Sequence, residues 1–399
     1  MPGPLSGIKV LDLSAVVAGP LTAVLLADQG ADVIKVERLE GDIQRHVGSS
    51  RNGFSGNFHM LNRGKRSLAL DLKRSEARDI VGTLADWADV AIQNFRPGVV
   101  DRLGVGYEQL KQRNPRLIYL SLSGFGPSGP HAGRRAYDPI IQARSGAATA
   151  QGRGEDGGPQ QVKQLLADKI TAYAASQAIS AALVARERLG GGQHITLSML
   201  DAVICFLWPD VGADQILLGE GIDERPPIGA AGHVARFANG WAATMTLSDA
   251  EYQGMCRAYG VPELADDPRF STVRARQQNR LEYRATLDRV ASEKAAVMSI
   301  EDAEERFQTH NAPFGRVNDI EDLPNDEQVL AGELFETTDH PVAGRLRQTR
   351  PAPRFSDTPA GPGKAAPTIG EHSRQILIEV GLGDRIDELV DGGIVGVEE

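Results

Sequence analysis

The chain has 399 residues, 41% of them hydrophobic and 24% charged, with a formal net charge of −10. That length exceeds what one hydrophobic core supports, so two lobes are expected, and the acidic balance gives no sign of a nucleic-acid partner. Two cysteines without metal or redox spacing, no signal-peptide layout and no apolar run of about 18 residues predict a reduced, cytoplasmic protein with no membrane partner.

Ile8 to Leu13 reads as a short buried strand, and Ala18-Gly19-Pro20 then opens a helix running to about Asp28. Gly30 ends that helix, and Asp32 to Glu37 is a second strand, which makes a βαβ unit. The alternation continues through a strand at Ser67–Leu72, a helix from about Ser75 to Ala88, and strands at Val90–Asn94 and Leu117–Leu122. Repeated pairs of this kind predict an α/β fold, a parallel sheet with helices on both faces. Ser123 to Pro130 is too rich in glycine and proline for an element interior. A long Ala-rich helix follows, from Asp168 to about Arg188, then a strand at His194–Ser198 and a helix from Met199 to about Leu218. Residues from about 220 change character and suggest a smaller α+β lobe over 220–325, leaving 1–219 as the larger. Proline-rich 345–364 reads as extended chain crossing between lobes, and Gly370 to Ser373 caps a C-terminal helix.

The candidate chemistry gathers at element ends. Asp168 interrupts an apolar run at a helix start. There it is either a first-turn acid serving its own helix or a nucleophilic carboxylate able to form acyl intermediates. The turn Val16-Val17-Ala18-Gly19-Pro20 has too few glycines for a dinucleotide fingerprint, so no nucleotide redox cofactor is expected, although the helix start at Val17 suits an anion. Arg38, Arg66, Lys73, Asn94 with Arg96, and Arg102 lie beyond strand ends or in the loops between strands. Cations gathered there suit a polyanion with several phosphates, or form a solvated rim. Arg135, Tyr137 and Asp138 follow the glycine-proline loop and either line a site or begin the next helix. Histidine–carboxylate metal spacing and a G-x-S-x-G elbow are both missing, so no metal is expected.

Together these segments resemble the family III CoA-transferases, the group of formyl-CoA transferase and carnitine CoA-transferase, sister to α-methylacyl-CoA racemase. The resemblance runs from Pro4–Asp12 through Leu25–Glu37, Asn62–Ser67, Asn94–Gly98, Gly192–Ile195 and Ser198–Ala202 to Gly370–Ser373. It implies a Rossmann-like large domain that residues 326–399 return to complete, a small domain, and an interlocked homodimer. Asp168 falls on the family's catalytic aspartate. Arg38, Leu72, Lys73, Val99, Arg102 and Arg135 fall at or near positions that meet coenzyme A, which enters as an acyl-CoA substrate beside a small carboxylic acid. The expected activity moves CoA from an acyl-CoA to a carboxylic acid through covalent aspartyl intermediates.

Relatives close a glycine-rich loop over the intermediate, and Ile228–His233 is the nearest match here. The racemase branch carries a histidine where this chain has Tyr137, and a phenol with an ordinary pKa near 10 is a poor base at neutral pH. Without that histidine, Asp249, near the racemase's supporting acid, has nothing to support. An isomerase of 2-methylacyl-CoA esters and a non-catalytic CoA-binding protein remain the alternatives. Arg144, His131 and Arg236 are candidates for meeting a second carboxylate.

Overall fold

The computed structural model describes residues 3–154, 156–223, 229 and 232–398. They divide into two compact units, 3–208 with 330–398, and 209–329.

The larger unit is built on a seven-stranded sheet. From one edge to the other its strands are Val395–Gly396, Lys65–Leu70, Asp32–Glu37, Lys9–Asp12, Val90–Gln93, Ile118–Ser123 and His194–Ser198. All neighbours are parallel except the first pair, where Val395 faces Leu70 in antiparallel register. Alternate side chains feed two cores, as the two-residue period of a strand requires. Leu11, Ile34, Leu68 and Ala91 pack under Ile80, Val81 and Leu84 of the helix Ser75–Trp87. Val10, Val33, Ile92 and Leu120 pack under Leu26 of the helix Ala18–Ala27 and Ile179 of the helix Leu166–Leu189.

Three sequence readings change. The strand expected at Ser67–Leu72 lies two residues earlier, at Lys65–Leu70, because Lys65 and Arg66 are held by buried and half-buried carboxylates. The helix beginning at Met199 ends at Leu207 instead of about Leu218. Pro209 follows closely and lacks the N–H that another turn would need. Part of the proline-rich segment is not loose chain: Gly344–Thr349 pairs with Phe335–His340 as an antiparallel hairpin within the larger unit.

The smaller unit holds an antiparallel sheet of Gly315–Arg316, Gly240–Thr244 and His233–Phe237. Helices cover it, and the core of this unit includes Phe237, Tyr252, Phe270 and Phe307. One of them, Asp249–Ala258, starts with a reciprocal Ser248–Glu251 capping box. Among the expected loop residues, Ile228, Ala230 and Ala231 lie outside the described residues.

Candidate active site

The strand Lys9–Asp12 sits between Asp32–Glu37 and Val90–Gln93, so the chain builds outward from it first one way and then the other. Where strand order reverses, the connections at the carboxyl ends diverge and leave a crevice. A cleft of about 200 Å³ opens there, walled by Val16 to Ala18 after the first strand and Asn94 to Pro97 after the fourth. Ser123, Gly124, Arg134 to Tyr137, Asp168 and Met199 complete it. Ala18, Tyr137, Asp168 and Met199 each stand at or within the first turn of a different helix. Helix N-termini present unpaired amides and partial positive charge, so the cleft suits anionic groups.

Asp168 lies in the first turn of Leu166–Leu189, yet it does not cap that helix. The N-cap position is Leu165 and makes no side-chain bond. The Asp168 amide instead donates to Oδ2 of Asp138 at 3.0 Å, so a carboxylate 30 residues away takes the capping role. Asp138 is buried, and its other oxygen accepts from Gln142 Nε2 at 2.6 Å. The Asp168 carboxylate is thereby left to the cleft, which Ala18 at the start of its own helix also lines. Burial, reinforced by the nearby negative charge of Asp138, pushes its pKa up to about 7, with the Ala18 hydrogen bond opposing. A carboxylate of that basicity is half ionised near neutrality and a stronger nucleophile once ionised.

The other expected residues separate into two groups. Val17, Asn94, Arg96, Arg135 and Tyr137 line the cleft with Asp168. Within that group Asn94 is already engaged. Its Oδ1 accepts from the Ala15 N–H at 2.9 Å and its Nδ2 donates to the Ala15 carbonyl at 2.6 Å, so it straps the two walls together. Arg38, Leu72, Lys73, Val99 and Arg102 do not line it. Arg38 is exposed just past the second strand, and exposed Lys73 follows the third. Leu72 packs against the core, and Val99 and Arg102 belong to a short helix beyond Gly98.

Arg66 corrects one expectation. It lies at the amino end of its strand, gripped by Asp32 at 2.7 Å and Glu379 at 2.6 Å, and so belongs to a surface ion-pair network instead of the ligand face. Asp249 is likewise engaged, accepting from Arg276 at 3.0 Å within the smaller unit. His131 and Arg144 bond each other at 3.1 Å.

Sequence reading missed what lies beneath the cleft. Lys65 Nζ, fully buried, donates to Asp12 at 2.8 Å, to Asn62 and to the Pro20 carbonyl. Lys35, also fully buried, donates to Asp42 and to the Ser14 carbonyl, each at 3.0 Å. For Lys35, inside the apolar run Val33–Val36, that placement was the available signal, since lysine is almost never fully buried unless paired; Lys65, at the start of its strand beside Arg66, gave none.

A model of CoA-transferase family III matches residues 5–373. The succinate–glutarate CoA-transferase of Agrobacterium fabrum is 34% identical over 393 residues, covering 94% of this chain and 96% of that protein. The formyl-CoA:oxalate CoA-transferase of Streptomyces coelicolor is 32% identical, covering 95% of this chain and 96% of that one. The crystal structure of a CaiB/BaiF family protein from Brucella suis superimposes with a TM-score of 0.81 at 32% identity, over 95% of this chain and 100% of that one.

Proposed function

The chain belongs to CoA-transferase family III, and from that premise we propose that it moves CoA between carboxylic acids through covalent intermediates on Asp168. A carboxylate oxygen of Asp168 attacks the donor thioester carbonyl, the carbon–sulfur bond breaks, and CoA leaves as its thiolate beside a mixed anhydride. The thiolate then attacks the aspartyl carbonyl, releasing the donor acid as its carboxylate and leaving an aspartyl–CoA thioester. The acceptor carboxylate repeats both steps in reverse and restores free Asp168. Each bond broken is replaced by one of similar energy, so no ATP and no net proton transfer are required.

The observation that carries this reading is the orientation of Asp168: Asp138 takes over its capping role, and its carboxylate faces a cleft at the sheet's switch point. Backbone amides at the helix starts are suited to the negative charge that develops on the attacked carbonyl oxygen. The proposed seat for the thioester end of CoA is formed by Val17, Asn94, Arg96, Arg135 and Tyr137, with Arg38, Leu72, Lys73, Val99 and Arg102 farther out toward the nucleotide phosphates. Incubation with an acyl-CoA followed by hydroxylamine, or intact mass of the trapped protein, should mark Asp168. An Asp168→Ala chain that still exchanged CoA at the native rate would refute the mechanism.

The proposed acid partner is a small dicarboxylate such as succinate. The Agrobacterium relative is named for such acids, and Arg96, Arg134 and Arg135 supply more positive charge at the cleft than one carboxylate needs. A panel of mono- and dicarboxylic acceptors against succinyl-CoA tests it, and equal rates with monocarboxylates would remove it. A homodimer is proposed as the assembly: Tyr173, Val184, Leu189, Phe206 and Trp208 leave large apolar side chains exposed on the larger unit. Sedimentation equilibrium giving the mass of one chain would overturn that assignment.

A further inference from the structure

Val16 is a β-branched residue in the left-handed region, at φ +73°, a conformation that valine avoids because its Cβ crowds the backbone. Such a residue persists only where its surroundings over-determine it, and here they do. The Val16 N–H donates to both oxygens of Asp42 at 3.3 Å. Asp42 is buried and held in turn by Lys35 Nζ at 3.0 Å and by the Gln44 amide at 3.1 Å. On the residue before, Asn94 grips both backbone groups of Ala15. One residue earlier, Asp12 accepts from the Ser14 amide and hydroxyl, and Lys35 takes the Ser14 carbonyl. Gly19 lets the helix start close onto this loop, since a Cβ there would collide with the Ser14 side chain. Two residues past Val16, Ala18 opens the next helix and lines the cleft with Asp168, whose pKa its backbone amide lowers.

Resting on the nucleophile reading above, we propose that Asp42, braced by Lys35, is a positioning residue for Asp168: it holds Val16 left-handed so that the Ala18 amide is aimed at the attacking carboxylate. Asp42 touches neither substrate nor Asp168. Its effect passes through the backbone of three residues, which is why an acid 126 positions from the nucleophile in sequence governs it. A loop free to relax at Val16 would swing the first amide of the helix Ala18–Ala27 out of line. Asp138, whose charge acts on Asp168, and Arg96, Arg134, Arg135 and Tyr137, which line the cleft with it, are the charged and titratable groups around the nucleophile, and the hydrogen bonds of Asp42 go to none of them.

The test is a double-mutant cycle between Asp42→Asn and Val16→Gly. Glycine adopts the left-handed conformation without strain, so it removes the need for the brace. Asp42→Asn is expected to lower kcat for CoA exchange about tenfold in the native background, but less than about threefold in the Val16→Gly background. The pH midpoint of exchange should rise by about half a unit in Asp42→Asn, because a hydrogen bond to the charged form of Asp168 is lost, and return in the double variant. Should Asp42→Asn alone fail to fold, the same cycle is run on Lys35→Met/Asp42→Asn, which removes both charges of the pair. Equal losses with and without Val16→Gly, or an unmoved midpoint, would overturn the proposal. Asp168→Asn, measured alongside, separates the two ideas: exchange surviving there sinks the nucleophile, whereas a dead Asp168→Asn beside a fully active Asp42→Asn sinks only the brace.

Discussion

Asp12, beneath the cleft, and Asp168, on its wall, are both carboxylates withdrawn from solvent in the larger unit, and their surroundings drive them opposite ways. Burial disfavours the charge on Asp12, but attraction to Lys65 and Lys35 and hydrogen bonds from Lys65 and Ser14 outweigh it and hold that carboxyl below the usual range. Burial also acts on Asp168, where the negative charge of Asp138 adds to the rise and the Ala18 amide opposes it. The lesson is that burial alone does not set the outcome; the supply of cations does. Where the fold needs rigidity it pairs its acid with a buried cation; Asp168, in a cleft that Arg96, Arg134 and Arg135 also line, makes no ion pair among the described residues.

The comparison is broken most directly at Asp168. Asp168→Asn keeps the shape and removes the nucleophile, and CoA exchange should fall at least about a thousandfold, read by chromatography of the acyl-CoA products. Asp12→Asn is the matching change below the cleft. It strands a buried Lys65 cation and should cost about 3 kcal/mol or more of stability in urea unfolding. A loss below about 1 kcal/mol would show that the pair is not what holds this region.

A third experiment sharpens the contrast through pH. Exchange requires ionised Asp168, so kcat/KM should rise about tenfold between pH 6 and 8, with an inflection near 7. A profile flat from pH 5 to 8 would mean that the acid is ordinary. The smallest effect is on stability and has the opposite sign to that of Asp12→Asn. The Asp168 pKa rises from 3.8 to about 7 on folding. Its protonated form therefore contributes stability fully present below pH 3.8 and lost as pH rises through 7. Asp168→Asn escapes that loss and should be about 1–2 kcal/mol more stable than the native chain at pH 8, with the difference vanishing toward pH 4. Thermal melts at the two pH values check it.

Much of the larger unit was legible because its strands are apolar runs bounded by glycine and polar turns. Asp32–Glu37 and His194–Ser198 have the bounds that their composition predicts. The helix from Met199 was overextended because apolar content continues past Trp208 while the backbone cannot continue past Pro209. At the candidate site, Asp168 could be singled out as a lone acid in an apolar stretch, but its position alone did not choose between its two readings. Only the bond from its amide to Asp138 shows that its carboxylate is free of the capping role. Arg66 failed for a related reason: a cation near a strand looks the same in sequence at either end, and only the amino end has Asp32 and Glu379 waiting.

Local order along the chain therefore determined which segments became strands and helices, that the sheet would be parallel, and that cations would stand near strand ends and one conspicuous acid at a helix start. Those properties rest on periodicity and on turn chemistry within a few residues. Tertiary structure alone decided that Asp12 meets Lys65 across 53 positions, that Asp42 bonds the backbone of Val16 in a conformation valine resists, and that Ala18 and Asp168 line one cleft. The energy of a buried charge depends on which partner stands within about 4 Å, and proximity across the sheet is a property no single stretch of sequence contains.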